Sequence, residues 1–266
     1  MIDIHALPER YRLILCDIWG VVHDGVNLYP GSAERLAAWR REGRTIILIT
    51  NAPRTAEAVA AQLDRIGLPR HCWDGIETSG EAGIAALLAL EEPVGFIGTG
   101  SDRVILEGRG LDLIEGGFRH LACVGLEESR PAAGDYAEQL DSLMDRGVIL
   151  HCLNPDRIVM RGGVSEPCAG ALADIYLAMG GEVVWYGKPH ATIYGHALKL
   201  GGNPPPEAVL AIGDSLQTDI LGAARMGMDA VFVTGGIHGG EPFPADFGPQ
   251  NGIGDWHPVA VVDSLG

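Results

Sequence analysis

Hydrophobic and polar positions along this chain alternate between two kinds of run. Consecutive apolar residues, as in RLILCD at Arg12–Asp17 and TIILIT at Thr45–Thr50, are too short for helices and too apolar for a face open to water. They predict strands buried on both faces. Between them lie segments of helical period. Thr55–Ile66 is rich in alanine and sets Val59, Leu63 and Ile66 on one stripe, with Gly67 as its stop. Ser32–Arg41 follows Gly31 and ends before Gly43 in the same manner. Further helices are predicted over Glu81–Leu90, Ala169–Met179, Ile193–Leu200 and Thr218–Met226. Further strands are predicted over Val94–Ile97, Leu121–Gly125, Val148–Leu150, Glu182–Tyr186, Val209–Ile212, Ala230–Val233 and Val259–Val262. Gly235–His257, rich in Gly and Pro, reads as loop.

Apolar strands alternating with helices predict an α/β fold, a parallel sheet covered on both faces. With 266 residues there is room for such a core plus a smaller domain. Composition narrows the function. The chain is 47% apolar, so it buries a substantial core. Its net charge of −16 repels phosphate backbones and anionic lipid surfaces, which argues against nucleic-acid and membrane partners. A small phosphorylated molecule stays open as a partner, because a local site can bring its own cation. The five cysteines form no CxxC pair, and at least four lie in apolar or small-residue surroundings, as buried free thiols of a reducing compartment do. The first twelve residues lack the apolar stretch of a signal peptide, and no run of about 18 apolar residues occurs. A cytoplasmic location is the expectation.

Four apolar runs lead into a polar residue of particular chemistry: RLILC into Asp17, TIILI into Thr50 and Asn51, EVVWYG into Lys188, and AVLAIG into Asp214. In a parallel sheet all carboxyl ends lie on one edge, where ligands bind, so these residues are expected to converge. The set suits phosphoryl transfer. A carboxylate can attack phosphorus and hold an acyl phosphate. A second can help to bind Mg²⁺, and a lysine offsets the charge on the equatorial oxygens. Each residue also has an ordinary explanation. Asp214 could cap a helix, Asp219 could sit in a first helical turn, Lys188 could be a solvated loop residue, and Thr50–Asn51 could be turn chemistry. Their conjunction is what favours the chemical reading.

The segments Asp17-Ile-Trp-Gly-Val, Ile49-Thr50-Asn51, Gly187-Lys188-Pro189 and Gly213-Asp214-Ser-Leu-Gln-Thr-Asp219 resemble, in order, the four motifs of the haloacid dehalogenase superfamily. Gly25, Pro30–Gly31, Thr78-Ser-Gly80, Asn154-Pro-Asp156 and Tyr186–Gly195 resemble more narrowly its class IIA branch, the nitrophenyl-phosphatase-like hydrolases. The resemblance implies a doubly wound, Rossmann-like core at residues 1–83 and 183–266. It also implies an inserted α/β cap of the C2 type at residues 84–182, and such caps pair in dimers, making a homodimer one expected assembly. It implies an Mg²⁺-dependent phosphatase of small phosphorylated metabolites that works through an aspartyl-phosphate. Asp17 matches the nucleophile and a metal ligand, and the backbone carbonyl of Trp19 another ligand. Thr50 and Asn51 match the phosphoryl-binding positions, and Lys188 the neutralising lysine. Asp214 matches the metal-binding carboxylate, and Asp219 the second acid, which positions metal-bound water or Lys188. Asn154 and Asp156 either face this site or form a turn.

One position departs from the family. Trp19 stands two residues after Asp17, where family phosphatases usually carry an Asp that serves as general acid and base. An indole N–H donates a hydrogen bond but exchanges no proton near neutral pH. His23, Asp24 and the more distant His238 are the candidates for that role. Trp19 also leaves open an alternative, a metal- and phosphate-binding protein with impaired hydrolysis and a regulatory task. The run Val94–Arg103 resembles a dinucleotide-binding turn, but Arg103 stands where the third glycine belongs. It reads as a strand and turn of the cap.

Overall fold

The structure, a computed structural model, describes residues 2–161, 164–236 and 242–266, the side chains of 160, 161 and 164 excepted. The chain divides into two compact units. One is assembled from the residues up to 50 with 56–77 and 188–266, and the other from 51–55 with 78–187. Along the chain, β1 (Leu13–Asp17), α1 (Ser32–Arg41), β2 (Thr45–Thr50), α2 (Ala56–Ile66) and β3 (Gly75–Thr78) come first. Then follow α3 (Ser79–Leu88), β4 (Val94–Ile97), α4 (Gly100–Gly108), β5 (His120–Cys123), α5 (Ala137–Asp145), β6 (Ile149–Cys152), the β7–β8 hairpin (Ile158–Arg161 and Val164–Pro167), α6 (Ala169–Ala178) and β9 (Glu182–Trp185). The last stretch adds α7 (Ala191–Leu200), β10 (Val209–Gly213), α8 (Leu221–Arg225), β11 (Asp229–Val233), α9 (Phe247–Gln250) and β12 (Ala260–Val262).

The first unit is built on a six-stranded sheet of order β12-β11-β10-β1-β2-β3. Strand β1 pairs in parallel with β10 on one side and β2 on the other. Every residue of β1 is buried, as its unbroken apolar run requires. Leu13 and Leu15 pack with Ile47, Ile49, Val209 and Ala211 against Ile193, Tyr194 and Ala197 of α7 and Leu221 of α8. The other sheets are a four-stranded one of order β4-β5-β6-β9 and the β7–β8 hairpin. On one face of the four-stranded sheet, Leu121, Cys123, Leu150 and Cys152 pack on Leu140 of α5 and Leu172 of α6. On the other, Ala122, Val124 and Leu153 meet Ile84 and Leu87 of α3 and Leu106 of α4.

Most predicted elements are present, several with the same bounds. One expectation fails in a way that matters. The run EVVWYG does not join the six-stranded sheet: β9 pairs in parallel with β6 in the other unit. An apolar run shows that a strand is buried, not which sheet it enters. Lys188 therefore does not stand at the end of a core strand. The chain also forms α4, α5 and the short β3, which the pattern analysis did not mark. The signal for α4 was local: Thr99 and Asp102 form a reciprocal capping box. The run Val94–Arg103 is thus a strand leading into a capped helix, while α9 interrupts the stretch read as loop. All five cysteines are free and buried. Among the described residues, no helix is long and apolar enough to cross a membrane.

The second unit encloses a polar chain. The His151 ring meets the Tyr186 hydroxyl at 2.6 Å through Nδ1 and the Nδ1 of His120 at 2.8 Å through Nε2. His120 Nε2 in turn lies 3.7 Å from Glu92 Oε2. One polarity satisfies every member: Tyr186 O–H donates to His151, His151 N–H to His120, and His120 N–H towards the Glu92 carboxylate. Burial, then the neighbouring His120, pushes His151 down to about 4. Unfolded histidine titrates near 6.5. The unfolded chain thus binds the extra proton first, and stability is lost as pH falls from about 6.5 towards 4. The loss should approach about 3 kcal/mol, measurable by urea unfolding across that range. His151→Leu should flatten this slope.

Candidate active site

Register brings the first acids together. Cys16 is paired with Ile212 of β10 and Asp17 with Ile49 of β2. Asp17, Thr50 and Asp214 therefore leave the sheet at one carboxyl edge. Asp219 arrives by a different route. After Asp214 the chain makes a π-helical turn, Leu216–Ile220, before α8 begins. Such turns often accompany functional sites. Here it carries Asp219 back against the end of β10, where a Cβ on Gly213 would lie 2.1 Å from the Asp219 side chain. Gly213 thus supplies the space that Asp219 fills.

Carboxylate oxygens of Asp17, Asp214 and Asp219 lie within 4.8 Å of one another. Lys188 enters this cluster from the segment before α7. Its Nζ donates to Asp17 Oδ1 at 2.6 Å and to Asp219 Oδ1 at 2.7 Å. All four residues are buried, Lys188 to 3% exposure. The second oxygen of Asp219 accepts weakly from the Ser215 N–H and the Thr218 hydroxyl, both at 3.3 Å.

The electrostatics are unbalanced. Burial pushes the Asp17 carboxyl well above the usual range, Asp219 and Asp214 add to this, and Lys188 opposes it. Burial by itself would lower the Lys188 ammonium, but Asp17 and Asp219 outweigh it and hold the ammonium well above the ordinary lysine value. Three acids around one ammonium leave an excess of negative charge. Clustered carboxylate oxygens are the donors that a hard divalent cation takes, and such a cation would relieve that excess. The residues present fit the group.

Asp214 is held where no side chain can replace hydrogen. Gly20 has φ +90°, and a Cβ there would lie 2.0 Å from Asp214 Oδ2. Trp19, beside it, is half-buried. Its ring meets His23 edge-on at 5.6 Å. The candidates for the missing acid are tied up differently. Asp24 Oδ1 accepts from the backbone N–H groups of Val26 and Asn27, at 2.9 and 2.7 Å, and these bonds hold its pKa below the usual value. It shapes the turn. His23 is buried, accepts the Gly25 N–H on Nδ1 at 2.9 Å, and has its pKa lowered by burial. His238 lies outside the described residues.

Thr50 is buried at the end of β2. Asn51 belongs to the second unit. There its Nδ2 donates to Asp156 Oδ1 at 2.8 Å, while Asp156 N–H donates to Asn154 Oδ1 at 3.2 Å. The Ser79 hydroxyl lies 2.7 Å from the Asn51 carbonyl oxygen and 2.5 Å from that of Leu153. Asn154-Pro-Asp156 is thus a turn, as one reading had it, and the turn also orients Asn51. Sequence reasoning found the acids and Lys188 but not this support, because nothing local links residue 156 to residue 51.

Comparison with known proteins places this geometry. A haloacid dehalogenase-like hydrolase family model matches residues 14–112, and a second, HAD-hydrolase-like model matches residues 185–266. A haloacid dehalogenase-like hydrolase from Brucella suis 1330 superposes with a TM-score of 0.82 at 33% identity, over 97% of each chain. The ribonucleotide monophosphatase NagD of Escherichia coli K12 is 28% identical over 233 residues, 84% of this chain and 88% of that protein. A glycerol phosphate phosphatase from Mycobacterium tuberculosis, solved in complex with magnesium, shares the fold, with a TM-score of 0.73 at 21% identity over 100% of this chain and 77% of that one. The chain belongs to the haloacid dehalogenase-like hydrolases.

Gly20→Ala tests the tight approach at Asp214. The left-handed φ alone costs a Cβ-bearing residue about 1–2 kcal/mol, and the new methyl must also displace the carboxylate. Thermal unfolding should show the lost stability, and calorimetry should show weaker divalent-cation binding than in the wild type.

Proposed function

We infer that this protein is a phosphatase of small phosphorylated metabolites, dependent on a divalent metal ion, and we propose that the ion is Mg²⁺. One observation carries the reading: a buried lysine bridges two carboxylates of a three-acid cluster at the carboxyl edge of a parallel sheet. The relatives named for phosphatase activity support it, as does the neighbour solved with magnesium.

In the proposed reaction an Asp17 oxygen attacks phosphorus and the bond from phosphorus to the leaving oxygen breaks. The product is an acyl phosphate on Asp17, and the leaving oxygen departs as an alkoxide or phenolate that takes its proton from solvent. Water then attacks the same phosphorus, the carboxylate departs, and inorganic phosphate leaves. Asp17, Asp214 and the Trp19 carbonyl would hold Mg²⁺, with Asp219 beside them. The ion, when bound, supplies positive charge to the phosphoryl oxygens. Lys188 offsets the charge shared by Asp17 and the phosphoryl group, and Asp219 keeps its ammonium in place. Thr50 and Asn51 bond phosphoryl oxygens. The second unit, with the segment around residues 84–182 at its centre, acts as the cap that selects the leaving group. The test is phosphate release from p-nitrophenyl phosphate. Activity should appear with Mg²⁺, vanish with chelator, and be absent in Asp17→Asn. Undiminished activity in Asp17→Asn would overturn the assignment.

Trp19 shapes which substrates turn over. It cannot protonate a leaving oxygen, and Asp24 is committed to its turn. Aryl phosphates, whose leaving groups need no proton, should therefore be hydrolysed faster than alkyl phosphates. General acid–base help is worth about 10²–10⁴-fold, and the gap between the two ester classes should be of that order. Trp19→Asp should narrow it. Equal, high rates on both classes in the wild type, with the alkyl activity lost in His23→Ala, would mean that His23 supplies the proton.

A further inference from the structure

The three acids and Lys188 do not by themselves explain what fixes the π-helical turn that presents Asp219. In that turn the Asp219 and Ile220 N–H groups both reach back to the Ser215 carbonyl, at 3.1 and 3.2 Å. The ladder is widened here, and the carbonyl oxygens of Thr218 and Asp219 face Tyr194 of α7. The Tyr194 hydroxyl lies 3.4 Å from each of them. The ring is buried, at 1% exposure.

A second feature points the same way. Gly222, on the first turn of α8, faces that hydroxyl so closely that a Cβ would lie 2.2 Å from it. Its neighbours Leu221 and Ala223 carry side chains and are buried in the same core. The one position that leaves room for an oxygen is the one against which the oxygen lies. A phenylalanine would fill the apolar space equally well. The hydroxyl is a donor in an apolar layer and its reachable acceptors are the carbonyls of the π-turn. Burial, then Asp219, pushes the phenol above its ordinary value, so it stays a protonated donor.

We propose that Tyr194 is a positioning residue for the reaction. Its hydroxyl tethers the Thr218–Asp219 carbonyls, the tether fixes the direction of the Asp219 carboxylate, and that carboxylate holds Lys188 against Asp17. Tyr194 acts through Asp219 and touches no reacting atom. This rests on the reading of Asp17 and Lys188 as the reacting pair.

The experiment compares wild type, Tyr194→Phe, Asp219→Asn and the double variant, with p-nitrophenyl phosphate and saturating Mg²⁺. A neutral hydrogen bond is worth about 0.5–1.5 kcal/mol, which converts to roughly 2- to 13-fold in rate. Tyr194→Phe should lower kcat within that range and leave KM within about twofold. In the Asp219→Asn background the same substitution should have little further effect, because the carboxylate it positions is gone. Independently of turnover, amide exchange at Asp219 and Ile220 should quicken in Tyr194→Phe while that of β10 stays unchanged. Wild-type kcat in Tyr194→Phe, or full additivity with Asp219→Asn, would overturn the inference. A wild-type protein inactive on every phosphate ester would instead overturn the phosphatase reading, and unaltered amide exchange would then still reject the tether on its own.

Discussion

The site depends on a buried charge imbalance. Three buried carboxylates and one buried ammonium share one cluster, and the ammonium donates to Asp17 and Asp219 at 2.6 and 2.7 Å. Removing the ammonium would leave three buried acids with no opposing charge, which costs several kcal/mol. The fold bears that cost because its hydrophobic layers are extensive and lie directly beneath. β1 is buried throughout, and the layer containing Leu13, Leu15 and Ile193 supports the strands that carry the acids. An arrangement that is unfavourable when empty is suited to recruit a cation and to accept a phosphoryl group, since each relieves part of the same strain in charge.

Local shape serves that constraint. Glycines stand where carboxylates come closest to the backbone, at Gly20 against Asp214 and at Gly213 against Asp219. The π-turn sets Asp219 back towards the strand end. In the second unit, Asp156 orients Asn51 through a turn closed by Asn154. The groups that do chemistry are few, and Asp214, Asp219 and Asn51 are each placed by a neighbour outside that set.

Strand and helix patterns were legible in the sequence wherever burial was two-sided or strongly periodic, as in β1, β2 and α1. Asp17, Lys188, Asp214 and Asp219 were legible as a set because each follows or flanks such an element. What escaped was pairing at long range. EVVWYG reads as a buried strand, but its partner is β6 and not a core strand, and no property of those residues encodes that choice. Nor does Asp156 carry any mark of residue 51, 105 positions away. Tyr194 looks like an ordinary apolar position of α7 until the carbonyls facing its hydroxyl are seen.

The discontinuity of the first unit has a consequence for how the protein is made. β10 lies between β1 and β11, yet residues 79–208 separate it from β3 in the chain. Synthesis proceeds at about 5–20 residues per second, so that stretch takes roughly 6–26 s to emerge. Throughout that interval β1 has a neighbour on one side only, and its apolar edge lacks the strand that will cover it. The second unit, nearly continuous in sequence, completes its own sheet once β9 has emerged. Asp17 thus waits at a half-built edge until Lys188 and Asp219 follow, and the site is among the last parts of the nascent protein to assemble.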